Sequence, residues 1–147
     1  MLRTATECSH MNLEQLEHSL PNGFHDAHLE AITVDYVSRV AAMKMQLHVG
    51  NPDAATKEER EAYKPAELHL SDVLYFVIDP PDPTYKYAGK KSLWLLAGRA
   101  DEESAPVPPI PLEQLPAGAS AYWFFVNDWN SFIHVAAMEA QLKWGDS

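Results

Sequence analysis

The chain has 147 residues, one cysteine and a formal net charge of −10, from 11 Lys and Arg against 21 Asp and Glu. A length like this is expected to hold one domain that buries roughly 70% of its unfolded surface, and 46% hydrophobic residues exclude a disordered composition. The longest apolar runs, 73–78 and 121–126, hold six residues each, against about 20 for a membrane-spanning helix.

The first seventeen residues contain no apolar stretch of the signal-peptide kind. Cys8 is alone, so no intramolecular disulfide can form. The expectation is a reduced, cytoplasmic protein without a membrane partner. The longest basic run is Lys90 and Lys91, which argues against a nucleic-acid partner. The acidic balance instead favours a cationic one.

Residues 1–10 show no periodic pattern and read as a disordered start; residues 11–147 read as a single globular β-rich domain. A short helix is expected over 12–19, capped by Asn12 with Gln15 three positions on, and stopped at Pro21-Asn22-Gly23. Ile32, Val34 and Tyr36 then alternate, which predicts a strand over 28–36. Leu29 falls on the opposite parity, so a bulge is expected near Glu30 and Ala31. A turn at 37–39 leads to 40–49, where Ala41, Met43, Met45, Leu47 and Val49 share one face. Helix propensity competes there, and the period decides for a strand.

Residues 54–63 are charged and predict a short exposed helix or an ordered loop. Alternation resumes at Leu68 and Leu70 and restarts out of phase at Val73, Tyr75 and Val77, which predicts a bulge at Ser71 and Asp72. Prolines in 79–84 and 105–116 exclude interior strands there. Between them, 92–97 is apolar and predicts a buried strand. The segment 98–119 is long for a connection, and such loops tend to be functional or mobile. Residues 122–126 predict a strand by aromatic and β-branched content, and 127–130 a turn. Residues 131–144 fit either a helix or a strand, and the continuous even-numbered face from Phe132 to Trp144 favours the strand.

Strands follow strands without intervening long helices. The fold class is therefore mainly β: an antiparallel sandwich, roll or open barrel of six to seven strands with one or two short helices.

The segment Phe24-His25-Asp26-Ala27-His28-Leu29, followed by Ile32, Val34 and Asp35, resembles the opening of small bacterial β-rich domains. The bulged stretch 68–73 and a closing strand after an aromatic strand are similar too, so that the resemblance spans 24–144. Some of those domains look like immunity proteins of toxin–immunity systems. The resemblance thus implies a binding protein that inhibits a protein partner.

Few residues suggest chemistry. His25, Asp26 and His28 form the densest cluster of metal-ligating types, which would hold a transition metal if a turn brought them together or if Asp35, Asp128 or His134 added donors. The structural alternative has Asp26 capping the turn and His25 bonding to backbone. His134, on an apolar face, reads as a core histidine or as a base opposite Asp26 or Asp128. The six glycines are scattered singly and no G-x-S-x-G is present, so neither a phosphate loop nor a hydrolase elbow is written in the chain. No catalytic or cofactor-binding residue is assigned. Trp129, Asp128, Tyr85 and Tyr87 are the candidate interaction residues, because aromatic side chains anchor interfaces.

Three readings follow from the sequence. The leading one is a non-enzymatic binding protein, an immunity-type inhibitor of a cationic protein partner. The others are a metal-dependent enzyme using the His/Asp cluster, and a structural domain that pairs as a homodimer through strand edges.

Overall fold

In a computed structural model the chain is described over residues 11–85 and 90–145. The first element is α1, Leu13–His18. Asn12 accepts the Gln15 N–H at 2.8 Å, while the Gln15 side chain accepts the Asn12 N–H at 3.0 Å. This reciprocal capping satisfies donors that a six-residue helix cannot bond internally. Leu13 and Leu16 face the core. A turn with left-handed backbone at Gly23 and Asp26 follows, and Phe24 is driven inward to complete burial.

Six strands follow: β1 His28–Asp35, β2 Val40–His48, β3 Tyr63–Ile78, β4 Leu93–Arg99, β5 Ser120–Val126 and β6 Ser131–Trp144. A four-residue helix α2, Lys57–Arg60, lies between β2 and β3 with Thr56 as its cap. All pairings are antiparallel, in the order β1-β2-β3-β6-β5-β4. The ring closes as a barrel where β1 meets β4, through the pairs His28↔Trp94 and Leu29↔Leu93 and a 2.8 Å bond from the Leu95 N–H to the Ala27 carbonyl.

Alternation sets the core. Ala41, Met43, Met45 and Leu47 of β2 point inward, each at most 3% exposed. Leu68 and Leu70 of β3, Leu95 of β4, Tyr122 and Phe124 of β5, and Ile133 and Val135 of β6 join them. Phe24 plugs one end, edge-on to Tyr122 and Phe124 with centroids 6.4 and 5.8 Å away. Off-face aromatic pairs of this kind add to plain area burial.

One expected irregularity is found in place, and three expectations change in detail. The bulge of β1 lies where expected, between Leu29 and Ala31. In β3 the register slips between Val73 and Tyr75, leaving Leu74 as the extra residue, although Asp72 is left-handed just before it. The segment around β4 is a strand, but only Leu95 is fully buried. It forms one side of the seam, and Trp94 is 39% exposed. β6 is a strand to Trp144, yet no single face is apolar throughout: Ile133, Val135 and Ala137 enter the core, then Ala140. Phe132 and His134 lie on the other side, against Phe125 and Trp123. Residues 1–10, expected to be disordered, lie outside the described residues.

Candidate functional site

The turn before β1 carries the His/Asp cluster. Asp26 sits in left-handed backbone, and its carboxylate accepts the Trp94 indole N–H at 2.8 Å. His25 stands beside it, Nε2 to Oδ2 3.5 Å, two-thirds exposed. His28 lies two residues beyond Asp26, as the first of β1, and packs edge-on against Tyr63 at 5.2 Å. Its Nδ1 is 3.5 Å from Ser92 Oγ. Tyr63 in turn donates to the Asp26 carbonyl at 3.0 Å and lies against His48, whose Nε2 meets the Arg60 carbonyl oxygen at 2.8 Å. Burial, then the charges of Asp26 and Glu61, raise the Tyr63 phenol above its usual pKa.

The metal expectation finds no ligand geometry here. Among the described residues no group of three or more His, Cys, Asp or Glu is placed to hold a metal ion. The reason is local: Asp26 is turned toward Trp94, and His25 and His28 lean on different neighbours. His134 is buried, as the core-histidine reading expects, and the alternative placement opposite a candidate carboxylate is not found. It is 8% exposed and its Nε2 lies 3.3 Å from Asp79 Oδ2, not opposite Asp26 or Asp128.

Asp128, a candidate interaction residue, works as a brace across the seam. It accepts the Trp94 backbone N–H at 2.7 Å and the Lys90 ammonium at 2.8 Å. Burial pushes its carboxyl up, but the bonds from Lys90 and Trp94 and the nearby Lys90 and His28 outweigh that and hold it below the usual value. Trp94 therefore ties Asp26 to Asp128, joining two candidate groups that are far apart in sequence. Trp129 packs half-buried on the core. Tyr85 is 43% exposed, and Tyr87 lies outside the described residues.

Beyond Leu29 the seam opens. Residues 31–35 of β1 pair with β2 on one edge, and the other edge has no strand partner among the described residues. β3 outruns β2 in the same way: β2 pairs with it as far as Leu70, and the Val73 N–H donates to the Arg39 carbonyl at the hairpin tip. Past that bond, residues 75–78 pair with β6 and, among the described residues, with no other strand. Two hollows of about 440 and 360 Å³ lie along this gap. The first lies between β1 with its hairpin and β3, with Val34 and Phe76 in its lining; the second lies between β1 and the segment Lys90–Leu93, with Ile32, Ile78 and Trp129 in its lining. The exposed apolar side chains gather here, with Val34 at 44%, Ile78 at 53%, and Tyr36 and Val37 above 90%. Scattered exposed apolar residues are ordinary, whereas a gathered patch marks an interaction surface.

Sequence reading missed this gap. The apolar run 73–78 and the alternation of Ile32, Val34 and Tyr36 were its signal, but period alone does not tell a face that meets the core from one that meets an opening. The fold is an antiparallel barrel with an open seam. Compared with family models, curated proteins and solved structures, the chain has no match.

Proposed function

We propose that the protein is a non-enzymatic binding protein, of the immunity-inhibitor kind, that captures a cationic protein. The observation that carries this reading is the apolar patch around the open seam, set in a chain of net charge −10. Apolar area supplies affinity at such a surface, and the acidic field speeds the encounter.

The test is capture on the immobilised chain from extracts at low and high salt, followed by reconstitution with the purified partner. A basic protein that binds in equal stoichiometry, with an association rate falling as salt rises, is the expected result. Co-production should suppress that partner's toxicity. A chain that retains no basic protein under either condition removes the reading.

A second reading has an observation of its own. Unpaired strand edges are templates for a second copy, so a structural homodimer is the alternative. Sedimentation across a wide concentration range separates the two, since a tight dimer that binds no other protein favours pairing between copies.

A further inference from the structure

We infer that the hairpin tip between β1 and β2 docks a second copy of this chain, each copy seating its Tyr36 and Val37 in the hollow of the other about a twofold axis. The contact is made by side chains at the tips, not by pairing of strand edges. It goes beyond the capture reading: self-association would compete with a partner for the same patch, and its test needs no partner.

The tip is a rigid apolar knob. Tyr36 and Val37 are consecutive and 91 and 94% exposed, the highest values of any large apolar side chain among the described residues. Their backbone is held in shape. The Asp35 carboxylate accepts the Val37 and Ser38 N–H groups at 3.1 and 3.2 Å. Arg39 takes left-handed backbone and is clamped to β3: its carbonyl accepts the Val73 N–H at 3.0 Å, and its Nε donates to the Val73 carbonyl at 3.1 Å. A surface fixed before contact loses little freedom on docking.

The matching hole lies beside the knob. The hollow of about 440 Å³ runs between the tip and β3, with Val34, Val40, Val73, Leu74 and Phe76 in its lining. Tyr36 and Val37 border it, yet their side chains stand almost wholly in solvent and do not fill it. A knob and a hole on one face suit an isologous contact, because a twofold axis sends the knob of each copy to the hole of the other.

Charge agrees with a second copy. The lining carries one acid and one base, Asp35 and Arg39, so this surface is locally neutral in a chain of net charge −10. Among the described residues neither side chain forms an ion pair, with the other or elsewhere. The twofold arrangement sets each Asp35 against the other copy's Arg39. Exposed ion pairs are individually weak, so the apolar contact supplies affinity and the charges fix the register.

The test is sedimentation velocity of the purified chain over about a hundredfold range of concentration, where mass action shifts a weak dimer. A monomer–dimer equilibrium is the expected result. Tyr36→Ser and Val37→Ser, at side chains already in solvent, should keep the melting temperature and weaken the dimer by about tenfold or more. Asp35→Lys and Arg39→Glu should each weaken it by about tenfold or more, because each sets like charges across the axis. Mixed in equal amounts, these two variants should recover the native association as a heterodimer, since both cross-axis pairs are then opposite in sign.

A monomer throughout the range overturns the inference and leaves the hollow to another molecule. A dimer that keeps its strength in Tyr36→Ser and Val37→Ser overturns it in favour of another surface, such as a strand edge. Absence of recovery in the mixture of folded charge variants overturns the twofold register. The Tyr36 and Val37 arm decides even where Asp35→Lys loosens the turn. Capture from extracts tests the capture reading separately, so the two fail independently.

Discussion

The two ends of the barrel are built differently. At the end plugged by α1 and Phe24, inward side chains meet other inward side chains, and Phe24, Phe124, Tyr122, Leu13 and Val135 are each at most 1% exposed. At the hairpin end, the same inward-facing alternation in β1 and β3 meets the gap, and Val34 and Ile78 stay about half exposed. Strand pattern is equally regular at both ends. The difference is whether a neighbouring strand continues, and it teaches that an apolar face becomes core or interface according to pairing, not composition.

Substitution at the two ends should therefore differ most in stability. Phe124→Ala removes a fully buried ring that faces Phe24 and should cost about 3–5 kcal/mol in urea unfolding. Ile78→Ala at the open end should cost clearly less. Comparable losses would mean that the gap is filled in solution and would break the comparison.

Gly98→Ala probes the closed side of β4. A Cβ there would run into the Trp123 ring across the β4–β5 pair, so a loss of about 1–3 kcal/mol is expected from overpacking. The seam brace comes next. Asp128→Ala leaves the Lys90 ammonium without its carboxylate and the Trp94 N–H without its acceptor, for about 1–3 kcal/mol.

Asp128 also sets a pH dependence. Its folded pKa is depressed, so its contribution is fully present above the unfolded carboxylate value of about 3.9 and is lost as pH falls through the lower folded value. Unfolding midpoints measured from neutral to acid pH should show a step in the native chain that is missing in Asp128→Asn. Tyr122 does the reverse at high pH. Burial, then its 2.5 Å hydrogen bond to Glu17, raise its phenol. The unfolded tyrosine ionises near about 10 while the folded one stays protonated, so stability falls as pH rises above that point. Tyr122→Phe should flatten this alkaline loss, read by the same unfolding assay.

The smallest expected effect lies at the cap. Asn12→Ala removes the acceptor of the Gln15 N–H and should cost about 1 kcal/mol. No change would mean that docking of Leu13 and Leu16 alone holds α1.

The sequence by itself determined the elements whose signals are local. The capping box of α1 follows from Asn12 and Gln15, and β2 from the strict alternation of Ala41, Met43, Met45 and Leu47, which outweighed helix propensity. The bulge at Glu30 followed from a parity conflict with Leu29. Local signals reached less far in β3 and β6. There Leu74, not Ser71 and Asp72, is the extra residue, because the slip is chosen jointly by pairing with Ala136 and Ala137.

Only the tertiary structure decided what those strands do together. The sequence left sandwich, roll and barrel open, and the paired closing contact is two residue pairs between β1 and β4, strands separated in sequence by residues 36–92. Asp26 is an acceptor for Trp94 because closure brings that indole to it. Among the described residues, β1 and β3 have edges without a strand partner because β3 outruns β2 and the pairing of β1 with β4 ends at Leu29. Period fixes which way a side chain points. Long-range pairing fixes what it meets there.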